Sequence, residues 1–169
     1  VRLARLSLLV VVAVVLQTTI FSELRIWGGG LLLGLLLTIA VAFVCGSDVG
    51  AIFGFVCGVI FDLFLTGTPL GLSALSYSLV GYAMGFFEGS MLRSGPLVTP
   101  IFAAGGTVFG LLVFITGAAI LGDGAVLSIR TVGVVVISAT ANALVAPLVF
   151  AAVTWATSDG ERVRVGWKG

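Results

Sequence analysis

The sequence predicts an all-α membrane protein, a bundle of six transmembrane helices. Composition is the first observation: of 169 residues, 60% are hydrophobic and only 9% charged. Soluble domains run nearer a quarter charged, and a soluble fold this small leaves too much surface wet to hide so much apolar area. The second observation is spacing. Six apolar stretches approach the roughly 20 residues, about 17 at the least, that a helix needs to cross a bilayer.

The first stretch, 3–21, follows Arg2 and Arg5 and has the outline of a signal peptide. It is long, and no small-x-small cleavage pattern follows, so it reads as a retained span. Glu23, Arg25 and Trp27 fill the break before the second stretch, 30–45. Gly46-Ser47-Asp48 marks the next break, with Asp48 placed to N-cap the third stretch, 49–65. Thr66-Gly67-Thr68-Pro69 makes a tight turn, Pro69 standing where the fourth stretch, 70–87, begins. A polar loop at 88–96 containing Arg93 leads to the fifth, 97–121, and Gly122-Asp123-Gly124 turns the chain into the sixth, 127–154. The second and third are short and the last is long, which leaves tilt or a re-entrant piece open, with five spans as the rival count. Residues 1–155 then form one transmembrane domain, and 156–169 a short charged cytoplasmic tail.

Six spans put Arg2, Arg5, Arg93, Arg162, Arg164 and Lys168 on one side, against Arg25 and Arg130 on the other. By the positive-inside rule both termini are cytoplasmic, and Trp27 and Trp155 fall at opposite membrane edges. Five spans would strand one end's positive charges outside.

Composition also excludes functions. Histidine is absent and Lys168 is the only lysine. That removes histidine-based triads, haem, most zinc sites and a P-loop. Cys45 and Cys57 lie in apolar stretches without CxxC spacing, so they read as buried thiols acting as small apolar residues. A net charge of +1 offers no nucleic-acid surface.

Two stripes of small residues stand out. Gly46, Gly50, Gly54, Gly58 and then Asp62 recur every four residues, as do Ser73, Tyr77, Gly81, Gly85 and Gly89 after the turn. Each four-residue step drifts only about 40° around a helix, so each set forms one slanting ridge. Small residues at that spacing let another backbone approach closely, which in lipid drives association. Packing within the monomer and docking of another protein are both open readings.

Among the few polar residues, Gln17, Thr18 and Thr19 lie in the outer third of the first span. Ser138 and Asn142 share a face of the last span, with Pro147 five residues after Asn142. A proline frees a backbone carbonyl that nearby polar groups can satisfy; a kink or a polar ligand pocket would use them. Asp62 sits three residues from a helix end, where its charge opposes the helix dipole. It should want a partner: the turn at 66–69, or Arg25 or Arg130, the only cations on that side. Structural pairing, partner binding and proton coupling are its three readings.

No catalytic set emerges. Gly71-Leu72-Ser73-Ala74-Leu75 begins like GxSxG, but it ends in leucine and lacks a histidine. Leu121-Gly122-Asp123 lacks the earlier glycine of a GxGD motif and lies in a turn, and Asp62 is the only clearly intramembrane acid, so paired-carboxylate chemistry has no second member. The expectation is a non-enzyme without metal or cofactor.

The run GFVCGVIFDLFLTGTPLGLSALSYSLVGY, residues 54–82, resembles the most recognisable segment of the rod shape-determining MreD family. Gly54, Phe55, Gly58, Asp62, Leu63, Gly67, Leu70 and Gly71 match its pattern, with the glycine after Asp62 one residue late. Leu16-Gln17 resembles the family's Leu-Gln in the first span, and Asn142 to Pro147 its late Asn-x4-Pro. The family's Pro-Asp or Pro-Asn before the second span is replaced here by Gly28-Gly29-Gly30. The resemblance implies a fold similar to the S component of energy-coupling-factor transporters. It implies a non-catalytic subunit of the bacterial elongation machinery in the plasma membrane. Its expected partner is MreC, near MreB, RodA and the RodA-associated transpeptidase. The fold likeness supplies the main alternative, a true S component binding a vitamin-like ligand. A small proton-coupled exporter is a third class, for which Asp62 is too peripheral.

Overall fold

The computed structural model describes residues 2–19, 30–64, 71–87, 97–122 and 129–158, and these form six helices and no strand. They are α1 (Arg2–Thr19), α2 (Leu33–Cys45), α3 (Ser47–Phe64), α4 (Leu72–Gly85), α5 (Val98–Ile120) and α6 (Ile129–Thr157).

Three of them, α3, α5 and α6, are long and apolar enough to cross a membrane. Their outward faces fit that setting, since Ile52, Leu144 and Leu148 are 68%, 76% and 74% exposed. Meanwhile Gln17, Thr38, Asp62, Thr107, Ser138 and Asn142 are buried. Apolar outside and polar inside inverts the soluble pattern. Exposed Thr116 and Thr140 donate their hydroxyls to Leu112 and Val136 of their own helix, each at 2.8 Å, so neither needs water.

α2 is the middle of the bundle. Eleven of its 13 residues are buried, and it touches all five other helices. Thirteen residues rise only about 20 Å, short of the roughly 30 Å of hydrocarbon. Residues 30–32, expected to be helical, instead run in irregularly between neighbouring helices. Non-helical backbone at membrane depth is tolerated only where protein covers it. At the other end of α2, Gly46 alone links it to α3, with φ 90° and ψ 175°, a positive-φ extended conformation that glycine adopts without strain. Asp48 is therefore not the N-cap of α3 but lies in its first turn.

Aromatic contacts close the end of the bundle where α2 finishes. Phe43 meets Phe102 and Phe150 edge-on at centroid distances of 5.0 and 5.5 Å, joining α2 to α5 and α6. The Arg5 guanidinium lies 5.1 Å from the Trp155 ring centroid, which brings the start of α1 to the end of α6. α6 runs unbroken through Pro147.

Candidate functional site

The two glycine ridges face each other. A Cβ added at Gly50 would lie 2.7 Å from the carbonyl oxygen of Gly81 and 2.5 Å from Ala42 Cβ. Likewise Gly54 abuts the Tyr77 carbonyl, Gly58 the backbone of Ala74, and Gly85 the backbone of Ser47. α3 and α4 are thus antiparallel and in backbone contact along their length. The contact exists because small residues on both helices leave no side chains between them. Tyr77, buried itself, supplies backbone rather than its ring to Gly54. The ridge residues Gly50, Gly54, Gly58, Gly81 and Gly85 accordingly meet inside the monomer.

Asp62 lies where α3 ends beside the start of α4, 5% exposed. Its Oδ2 accepts the Gly71 N–H at 2.8 Å and, more distantly, the Ala74 N–H at 3.4 Å. Gly71 is the N-cap residue of α4, with φ 95° and no side chain to serve the helix. A capping side chain normally accepts from the second or third helical N–H, and Ala74 is the third. Asp62 does that work from the preceding helix. The dipole penalty expected at the end of α3 is offset, because the same carboxylate lies at the positive end of α4. Among the described residues Asp62 has no ion-pair partner, and Oδ1 is buried without a hydrogen bond. Arg25, Pro69 and the turn at 66–69, named above as holders of this corner, lie outside the described residues, as do the 88–96 loop and the end of the tail. Gly71 has open space where a Cβ would go, so its positive φ, not crowding, requires glycine there.

A second helix start is built from more distant parts. Leu32, the N-cap residue of α2, has no capping side-chain bond of its own. The Leu32 N–H donates instead to Asn142 Oδ1 at 2.9 Å, and the Leu33 N–H to Gln17 Oε1 at 2.8 Å. The Gly30 N–H donates to Ser138 Oγ at 3.2 Å. Asn142 Nδ2 donates to Thr107 Oγ1 at 2.8 Å, and that hydroxyl donates to the Ala103 carbonyl at 2.7 Å. α1 and α6 therefore converge on one stretch of backbone, and α5 holds the Asn142 amide in place through Thr107.

This answers what Gln17, Ser138 and Asn142 do. They satisfy main-chain donors where the chain enters α2, rather than the carbonyl freed by Pro147. At Gly30, Leu32 and Leu33 the acceptors come from other helices. Thr107 completes the network and was not anticipated. Its only sequence signal is a third small-residue row, Gly106 and Gly110, which receives Ile39, Met84, Leu35 and Val80.

The remaining polar side chains are few. Cys57 is buried with its Sγ 3.7 Å from the Gly34 carbonyl, a weak contact, and Cys45 is half-buried. Ser76 Oγ is buried without a partner. Among the described residues no three His, Cys, Asp or Glu side chains are grouped closely enough to hold a metal ion. At both helix starts the chemistry is acceptance of main-chain N–H groups by the Gln17 and Asn142 amides, the Ser138 hydroxyl and the Asp62 carboxylate, with Thr107 holding the other end of the Asn142 amide.

Compared with protein-family models, with curated proteins and with solved structures, the chain finds no match in any of the three.

Proposed function

We propose that this chain is a non-catalytic, six-span subunit of the bacterial elongation complex, resembling MreD, with both termini cytoplasmic in the plasma membrane. It binds a single-span protein resembling MreC and helps to organise lateral peptidoglycan synthesis with MreB, RodA and the transpeptidase.

One observation carries this reading: the motif from Gly54 to Gly71 is an ordered set, and each member that is described has a physical task. Gly54 and Gly58 admit α4, Asp62 caps it, and Gly71 supplies the left-handed turn from which it starts. A set with interlocking tasks is harder to assemble by chance than a run of glycines. The contact between Arg5 and Trp155 supports termini on one side. A vitamin-binding S component would need free polar groups in the outer half, and Gln17, Ser138 and Asn142 are engaged with α2.

Isolation of the tagged chain from native membranes tests the proposal. Co-purification of a single-span protein with an extramembrane coiled coil is the expected result, as is loss of rod shape on depletion. Recovery of an ATPase module or a bound small vitamin-like molecule would replace it with the S-component reading. Ser94→Cys and Ser158→Cys should react with an impermeant thiol reagent only after cells are opened.

A further inference from the structure

Pro147 leaves one acceptor in α6 without its usual donor. Proline has no N–H, so the Ala143 carbonyl, four residues earlier, lacks its helical hydrogen bond. No side chain among the described residues donates to it. Ser138 and Asn142 are engaged at the start of α2, and Thr140 donates its hydroxyl to Val136 at 2.8 Å.

The position makes this acceptor hard to satisfy. Ala143 lies midway along α6 (Ile129–Thr157), a helix long and apolar enough to cross a membrane. A helical carbonyl points toward the residue four further on. That residue, Pro147, is exposed, as are Leu144 and Leu148 beside it. Ala143 is half-buried and adds only a methyl group, so its carbonyl can be approached from outside the bundle. Hydrocarbon at this depth supplies neither water nor any other donor, and an unpaired main-chain carbonyl there is strongly unfavourable. Lipid alone leaves the acceptor unanswered.

A second copy of the chain does not answer it either. Among the described residues the exposed hydroxyls of Thr116, Thr140 and Thr154 each donate to a carbonyl of their own helix. Exposed Ser7, Thr19, Tyr82, Trp155 and Ser158 lie toward helix ends, away from mid-membrane. What remains is a helix of another protein with a hydroxyl or amide in the middle of its span. Such side chains are the ones that hydrogen-bond across helices in membranes.

We propose that α6 docks the transmembrane helix of a single-span partner, whose mid-span Ser, Thr, Asn or Gln side chain donates to the Ala143 carbonyl. The site rests on the reading of this chain as the binder of a single-span protein, and adds the face and the bond.

Photo-crosslinking in native membranes tests it, with p-benzoylphenylalanine placed at Leu144 and, on other exposed faces, at Leu79 and Ile52. The expected result is an adduct from Leu144 alone. Its cross-linked peptide should come from a single-span protein and lie within one helical turn of a mid-span Ser, Thr, Asn or Gln. Pro147→Ala restores the missing N–H, so by thermal unfolding it should be at least as stable as wild type. It should nevertheless lower the Leu144 adduct about three- to tenfold, the range of a hydrogen bond between membrane helices. Replacing the partner's mapped donor by alanine should cost as much and, combined with Pro147→Ala, nothing more. An undiminished adduct in Pro147→Ala, or additive losses in the combination, would overturn the bond. An adduct with the single-span protein from Leu79 or Ile52 but not from Leu144 would overturn the site and keep the partner. An adduct between two copies of this chain at Leu144 would also overturn the site. Failure of any single-span protein to co-purify with the wild-type chain would remove the partner reading and the site together.

Discussion

The starts of α4 and α2 solve one problem at very different range. Each is a helix N-terminus whose first residue, Leu72 or Leu33, is buried and whose N-cap residue, Gly71 or Leu32, offers no capping side chain. At α4 the substitute is Asp62, nine residues earlier, on the helix that α4 already touches through glycine. At α2 the substitutes are Gln17, 16 residues before its donor, and Asn142, 110 residues after its own. The first arrangement can form within a hairpin. The second exists only when α1 and α6 have closed around α2. The α3–α4 pair is thus a local unit held by backbone contact, and the α2 start is a lock set by assembly of the whole bundle.

The largest effect should come from forcing the local unit apart. Gly81→Leu would drive a side chain into the Gly50 carbonyl, and overpacking of this kind costs about 1–3 kcal/mol or more. Loss of monodisperse protein in detergent is the expected outcome, while Gly105→Leu, with open space around it, should behave as wild type. Gly58→Leu would part the same helices at Ala74, so a failure to bind a partner in that variant would report misfolding rather than a docking site.

The remote lock should break less severely. Asn142→Leu leaves the part-buried Leu32 N–H without its acceptor and the Thr107 oxygen without its donor, a loss of about 1–3 kcal/mol. Thermal unfolding in detergent should show it, and hydrogen exchange should rise at Leu32 and at the start of α2 while the α3–α4 pair stays protected. Uniform loss of protection across both regions would remove the distinction between local unit and lock. Ser138→Ala should do least, below about 1 kcal/mol, because its bond to Gly30 is long at 3.2 Å and only partly buried.

Legibility in the sequence follows the same division. The α3–α4 contact was readable because both ridges repeat every four residues and the turn between them is short, so spacing alone aligns them. Asp62 is readable as a residue in need of a partner, with the turn at 66–69, Arg25 and Arg130 as the candidates; the observed donors, the Gly71 and Ala74 N–H groups, lie just past that turn. The neighbouring helix's own N–H groups were the nearer answer, and the missing side chain at Gly71 was the clue. Gln17, Ser138 and Asn142 were visible as polar residues in apolar helices. Their convergence was not, because nothing in a single sequence pairs position 17 with 142. The length of α2 was overestimated for a related reason. Residues 30–32 are as apolar as a helix, and only the acceptors waiting on α1 and α6 let their backbone leave helical geometry.

Thermal unfolding of Asp62 variants tests most directly whether buried polar side chains here serve helix starts by hydrogen bonding. Asp62→Asn keeps an acceptor oxygen for the Gly71 and Ala74 N–H groups, and Asp62→Leu keeps none. Hydrogen bonds to a charged group contribute about 1.5–3 kcal/mol, so Asp62→Leu should melt several degrees lower, at about 2–4 °C per kcal/mol for a chain of this size. Asp62→Asn should recover more than half of that shift, and Arg130→Glu should leave the melting temperature unchanged. Equal losses for Asn and Leu, matched by a loss for Arg130→Glu, would mean that Asp62 acts through an ion pair and would contradict the account.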